Sequence, residues 1–232
     1  MPTMKIPITK YGLPQVVIYP GLCAVLMILS GFIAFWSQGF CWFLEIILGL
    51  ILIWMLSFFR DPKRIIPQGN DLLLSPADGT ITDVQVIDNQ EFIGGPAIRV
   101  GIFLSVFNVH LNRAPCKVRI ETIDYHKGAF INAMDANCGK LNESNDLGMT
   151  RLDEPKEKLY VRQISGAIAR RIECDAEKGQ EFSGGEIFGM IKFGSRTELY
   201  LPAQSNAKIL VKKGDKVKAG LTILAKYDGT NK

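Results

Sequence analysis

Two long uncharged runs lie side by side near the start of this chain, and they limit its fold more than any other feature. Val16–Trp36 and Phe40–Phe59 contain one acid, Glu45, and no base. Each approaches the roughly 20 residues that cross a bilayer as a helix. Tyr19, Trp36, Trp42 and Trp54 lie toward the run ends, where amphipathic rings settle at a lipid interface. Only Ser37-Gln38-Gly39 joins the runs, so the sequence predicts a transmembrane helical hairpin. Lys5 and Lys10 precede it, and Arg60, Lys63 and Arg64 follow it. The positive-inside rule then puts both ends in the cytoplasm. Two buried core helices are the competing reading, but soluble domains seldom carry uncharged runs this long. A cleaved signal peptide would have a shorter apolar core and no second span at once. Glu45 is expected near the interface or facing the other helix.

Three regions follow: a polar leader over 1–15, the hairpin over 16–59, and a soluble domain over 60–232. The domain opens with Phe59-Arg60-Asp61-Pro62, and Pro62 and Pro67 stop the second helix from running on. The five cysteines (Cys23, Cys41, Cys116, Cys138, Cys174) form no CxxC or zinc spacing. They suit reduced thiols facing the cytosol, and no metal site is expected. A net charge of +4 does not argue for a nucleic-acid partner. It does favour anionic lipid headgroups. The expected location is the cell (inner) membrane, with the domain on the cytoplasmic side.

After residue 60 the sequence reads mainly as β, in an α+β chain. Short apolar or alternating runs occur at Thr80–Ile87, Ala97–Phe103, Lys117–Ile123, Leu159–Ile164, Ala167–Glu173, Glu186–Ile191, Glu198–Leu201, Lys208–Val211 and Leu221–Ala225. Asp78-Gly79, Gly94-Gly95, Gly184-Gly185 and Lys213-Gly214-Asp215 punctuate them as turns. Asp135–Glu157 is polar and poorly periodic, and reads as a mobile loop over a site. The stretch from Val211 to Gly220 resembles the turn-rich hairpins of biotinyl and lipoyl carrier domains. It lacks their modified-Lys turn, so it points to a flattened β-barrel or sandwich-like architecture and not to a carrier role.

The residues suited to chemistry are few. There are two histidines, His110 and His126. His110 follows the apolar strand Val100–Leu104, with Asn108, Asn112 and Arg113 around it. A lone histidine there is more often structural, but this polar and basic setting suits an anion such as a phosphate or carboxylate. His126 sits in Tyr125-His126-Lys127-Gly128, a turn, where a surface role is the default. Asp78 lies between a Pro-Ala pair and a Gly, where it either caps the turn or orients His110. Near the C-terminus, Gly194-Ser195 follows a short apolar run. Most Gly-Ser pairs are plain turns. The pair is also the minimal unit for a backbone acyl shift from nitrogen to oxygen, because Gly tolerates strain and leaves its carbonyl open to the hydroxyl. With Asp78 and His110, Ser195 would complete an Asp-His-Ser set.

Five segments together resemble the phosphatidylserine decarboxylases of the short, membrane-hairpin branch. They are Phe59-Arg60-Asp61-Pro62, Ser75-Pro76-Ala77-Asp78-Gly79, the stretch from Asn108 to Pro115, Tyr125-His126-Lys127-Gly128, and the stretch from Gly189 to Arg196. The resemblance implies a proenzyme that cuts itself between Gly194 and Ser195 into chains 1–194 and 195–232, which stay associated. It implies that Ser195 becomes a pyruvoyl group, the covalent cofactor. That group would take the amine of phosphatidylserine as a Schiff base and act as electron sink for loss of carbon dioxide, giving phosphatidylethanolamine. Asp78 and His110 are then the candidates for activating Ser195 and for proton transfer. Longer bacterial relatives carry Thr where this chain has Arg196, and a second His where it has Arg113. Either His110 serves twice or His126 takes one role, and Arg113 is free to bind the lipid phosphate or carboxylate.

The other readings are a membrane-anchored serine hydrolase using Asp78, His110 and Ser195, and a non-enzymatic adaptor with a carrier-like hairpin. The adaptor class lacks support, since no coiled-coil heptads are visible. An archaetidylserine substrate would need the same headgroup chemistry, and a homo-oligomer is open.

Overall fold

A computed structural model describes residues 8–12, 15–34, 40–135, 137–167, 171–192 and 194–228. The start of the leader, Trp36, the Ser37-Gln38-Gly39 connection and Phe193 lie outside the described residues. The chain divides into two compact units, Met1–Lys63 and Arg64–Lys232.

The first unit is a helical pair, α1 (Gln15–Ala34) and α2 (Phe40–Phe58). Cys23 Sγ bonds to Leu48 O at 3.3 Å, and the Ser30 hydroxyl meets Glu45 across the pair. Glu45 thus faces the other helix, as expected. The remaining surface is apolar nearly all round, with Val17, Ile28, Phe32, Trp42, Leu50 and Ile53 exposed. Among the described residues no helix is long and apolar enough to cross a membrane; the side chains described are 16–32 of α1 and 42–58 of α2. The leader returns to the end of α2, where Thr9 N–H donates to Phe59 O at 2.9 Å.

The second unit is mainly β. Its strands are β1 (Leu72–Leu74), β2 (Gly79–Gln90), β3 (Gly95–Leu104), β4 (Leu111–Arg113), β5 (Val118–His126), β6 (Ser144–Arg151) and β7 (Lys158–Ile164). They continue with β8 (Ile172–Cys174), β9 (Glu181–Phe182), β10 (Ile187–Ile191), β11 (Ser195–Pro202), β12 (Ala207–Ile209), β13 (Lys216–Val217) and β14 (Ile223–Tyr227). One short helix, α3 (Cys138–Leu141), precedes β6.

An eight-stranded sheet runs β13-β2-β3-β11-β7-β6-β5-β9, and two small sheets run β1-β14-β12 and β4-β10-β8. The paired strands are antiparallel. Alternation puts Val100, Ile102, Leu199, Leu201, Leu159, Val161, Leu147 and Met149 on one face of the large sheet. They share a single apolar core with Leu73, Leu224 and Tyr227 of one small sheet and Phe188 of the other. The large sheet keeps edges at β13 and β9, so the layers make a sandwich and not a closed barrel.

The expected mobile loop at Asp135–Glu157 is not one. It holds α3 and all of β6, whose residues are buried except Thr150. Its pattern is polar because the Asn145 and Asp146 side chains of β6 find partners on β7. Asp146 pairs with Arg162 at 2.6 Å, and Asn145 donates to Gln163 at 3.0 Å.

Candidate active site

The Gly194-Ser195 bond sits where β10 hands the chain to β11, with Ser195 buried and Gly194 half-buried. Gly194 has φ +66°, a left-handed conformation that side chains resist. Ser195 begins β11, a central strand of the large sheet, opposite Leu104 of β3. On its other side β11 pairs with β7, Arg196 opposite Ile164. β7 ends there, and carrying its register on by one and two residues would set Ser195 opposite Ser165 and Gly194 opposite Gly166. A Cβ at Gly166 would lie 2.3 Å from Gly194 O, so a bare Cα there admits the Gly194 carbonyl. The Ser195 hydroxyl is fully buried and has no hydrogen-bond partner among the described residues.

His110 is carried to the same bond by β4, which pairs with β10 through Leu111 and Met190. Ile191 N–H donates to His110 O at 3.2 Å. The imidazole is fully buried. Gly194 N–H donates to His110 Nε2 at 3.2 Å, and His110 Nδ1 lies 3.0 Å from Asn108 O. Accepting at Nε2 requires the proton on Nδ1, which donates to Asn108 O. The ring therefore presents an unprotonated Nε2 to the Gly194 N–H, one residue from the Gly194-Ser195 bond. Asn108 acts through that carbonyl, while its side chain accepts from Ser105 N–H and Oγ, both at 2.9 Å, and closes the turn.

Asp78 and Arg113 belong to a neighbouring cluster around the loop 75–78. Asp78 Oδ1 accepts from Arg64 at 2.6 Å and from the Ala219 N–H at 2.7 Å, and Oδ2 accepts from Arg64 at 2.9 Å. These contacts do not join Asp78 to His110. Arg64 is buried in this fork, although the sequence marked it only as a charge following the hairpin. Arg113 N–H donates to Pro76 O at 2.9 Å, and its guanidinium donates to Gly185 O at 2.9 Å. Asn112 bridges the two clusters, donating to Thr197 Oγ1 at 3.0 Å and Pro76 O at 3.3 Å while accepting from Gln163 at 2.9 Å.

His126 is elsewhere. It ends β5, three strands from β11, with its side chain 56% exposed and Nε2 3.1 Å from Asp146. That face of the sheet is the one opposite Ser195. It holds a charged cavity of about 790 Å³ whose lining includes Arg99, Arg162, Glu198, Tyr160 and Tyr200. Arg196 reaches Glu198 at 2.7 Å, Thr82 at 2.8 Å and Asp83 at 2.5 Å on this same side. Burial pushes the Asp83 carboxyl upward, but Arg196, Thr82 and Arg99 outweigh it and hold the group below its ordinary value. Burial, followed by Glu198, pushes the Tyr200 phenol up. Arg196 therefore has a structural ion cluster of its own, away from the face that carries Ser195.

Among the described residues no group of three or more His, Cys, Asp or Glu side chains could hold a metal ion. The comparisons with known proteins bear on the same segments. A family model described as phosphatidylserine decarboxylase matches residues 51–225. A phosphatidylserine decarboxylase proenzyme of Carboxydothermus hydrogenoformans is 38% identical over 88% of this chain and 91% of its own. One of Rhodopirellula baltica is 38% identical over 96% and 89%. One of Chlorobaculum tepidum is 40% identical over 96% and 99%. With a family model over most of its length and relatives matched nearly end to end, this chain belongs to the phosphatidylserine decarboxylase family.

Proposed function

We propose that this chain decarboxylates phosphatidylserine to phosphatidylethanolamine after cutting itself between Gly194 and Ser195. One observation carries the reading: a buried, unpartnered Ser195 hydroxyl adjoins a left-handed Gly194 whose N–H faces an unprotonated His110 nitrogen. A serine hydrolase would present its nucleophile to substrate, and this one is sealed inside a sheet.

The steps use the chain's own groups. His110 Nε2 exchanges the Gly194 N–H for the Ser195 O–H and takes its proton. Ser195 Oγ bonds to the Gly194 carbonyl carbon, the Gly194–Ser195 C–N bond breaks, and the proton passes to the freed nitrogen. Loss of the Ser195 α-proton then expels the Gly194 carboxylate from Cβ. The resulting enamine takes a proton at Cβ to become an imine, and water replaces its nitrogen, which leaves as ammonia. The pyruvoyl group so formed supplies an electron sink for loss of carbon dioxide. The residues present fit it, since Ser195 is buried and the Gly194 before it lies against Gly166 and the buried His110. His110 is placed to return a proton after carbon dioxide leaves. Asp78 acts as a positioning residue, holding Arg64, the 75–78 loop and Ala219 together. Arg113, bound to Gly185, supports the same loop.

The small chain 195–232 stays bound because β11 is hydrogen-bonded on both sides, by β3 and β7. The helical pair is the membrane anchor, with both ends cytoplasmic, and its all-round apolar surface supports that.

Purified protein in detergent tests the activity. Phosphatidylserine should yield carbon dioxide and phosphatidylethanolamine, and a carbonyl reagent such as phenylhydrazine should abolish turnover. Full activity in phenylhydrazine, with loss in a serine-directed fluorophosphonate, would instead support the hydrolase reading.

A further inference from the structure

Two buried serine hydroxyls belong to the segments that meet at the cleavage bond, Ser195 of β11 and Ser165 just past β7. Ser165 and Ser195 are each fully buried, and among the described residues neither Oγ has a hydrogen-bond partner. An unpaired buried hydroxyl is destabilising, so two at one spot require an explanation. β7 ends at Ile164, opposite Arg196 of β11, and carrying that register one residue past the end of β7 puts Ser165 opposite Ser195. Opposed residues of antiparallel strands project to the same face, with Cβ atoms about 4.5–5.5 Å apart.

The rest of Ser165 is already engaged. Its N–H donates to Glu143 O at 2.9 Å, and its carbonyl accepts from Asn142 Nδ2 at 2.8 Å. Packing alone would be served by Ala at this site. The next residue, Gly166, lies against the Gly194 carbonyl oxygen. The free hydroxyl is therefore one residue from the oxygen that gains charge when Ser195 attacks.

We propose that Ser165 is a catalytic residue of self-cleavage, donating its hydroxyl hydrogen bond to the Gly194 oxyanion. The inference rests on the self-cleavage reading above. As Ser195 Oγ bonds to the Gly194 carbon, the carbonyl electron pair moves onto Gly194 O. The Ser195 proton goes to His110 Nε2. When the C–N bond breaks, the pair returns to the carbonyl and the proton goes to the leaving nitrogen. Ser165 keeps its own proton throughout and stabilises the charge only while it exists.

The test follows chain cutting in full-length wild type, Ser165→Ala and Ser165→Thr, synthesised cell-free with detergent and sampled over time by denaturing electrophoresis. Ser165→Ala should cut at least about tenfold more slowly, the loss of one hydrogen bond to a charged group. Ser165→Thr, which keeps the hydroxyl, should recover most of the rate. In an uncut Ser195→Ala background, Ser165→Ala should not lower the melting temperature, which separates slow chemistry from poor folding. Equal cutting rates for wild type and Ser165→Ala would overturn the role of Ser165 alone. So would slow cutting matched by lower melting and no rescue by Thr. An uncut wild-type chain would overturn the self-cleavage reading and this role with it.

Discussion

Ser195 and His110 illustrate what single residues reveal. The Gly-Ser pair and the polar setting of His110 were legible in the sequence because chain-local patterns carried them. The contact between His110 Nε2 and Gly194 N–H was not, since it joins residues far apart in the chain through β4 and β10. Ser195→Ala should leave one full-length chain and release no carbon dioxide from phosphatidylserine. His110→Ala should slow the appearance of the small chain by about 100-fold, the usual scale of a lost general base. His126→Ala should leave cutting unchanged, because that ring lies three strands away and faces Asp146. Normal cutting in His110→Ala, with loss in His126→Ala, would move the base to His126.

At the scale of elements, the apolar strands were readable and the polar one was hidden. β2, β3, β7, β10 and β14 announce themselves by apolar alternation. β6 does not, because Asn145 and Asp146 are buried against Gln163 and Arg162, and composition alone cannot foresee such partners. Arg64 was missed for the same reason: its fork on Asp78 depends on the fold. The close approach of β7 to the cleavage bond predicts that Gly166→Ala, with its Cβ 2.3 Å from Gly194 O, displaces that carbonyl. Its cutting should fall well below wild type while Ala167→Gly cuts normally, as timed electrophoresis would report.

The ion cluster of β2 and β11 makes a separate prediction in pH. Asp83 titrates below its ordinary value of 3.8 in the fold, so its contribution is present above the unfolded value and is lost as pH falls through the folded one. Asp83→Asn should therefore be less stable than wild type at pH 7, by about 1–3 kcal/mol for a hydrogen bond to a charged partner. The gap should begin to narrow below about pH 4, the ordinary carboxylate range, and shrink further as pH falls toward the lower folded value. Urea unfolding of both proteins in the uncut Ser195→Ala background, at pH 7 and at pH 3, measures it. A gap that widens in acid would contradict the assignment.

For the whole molecule, the sequence conveyed two regions, one apolar and one mainly β. It could not show that the second part is a sandwich of three sheets, because sheet edges are set by long-range pairing. The central place of β11 predicts that the cut halves co-elute in mild detergent and separate only in denaturant. The Arg64–Asp78–Ala219 clasp adds to that hold. Asp78→Ala should cost about 3 kcal/mol by stranding a buried arginine, seen as a lower urea midpoint for release of the small chain. The anchor proposal predicts that the protein stays with the membrane pellet after an alkaline carbonate wash, and release into the wash would refute it.

The most direct measurement is the intact mass of the purified protein beside its denaturing electrophoresis. The account predicts two chains, residues 1–194 and 195–232, with the smaller one beginning in a pyruvoyl group that resists N-terminal sequencing. A single uncut chain with full decarboxylase activity would contradict it.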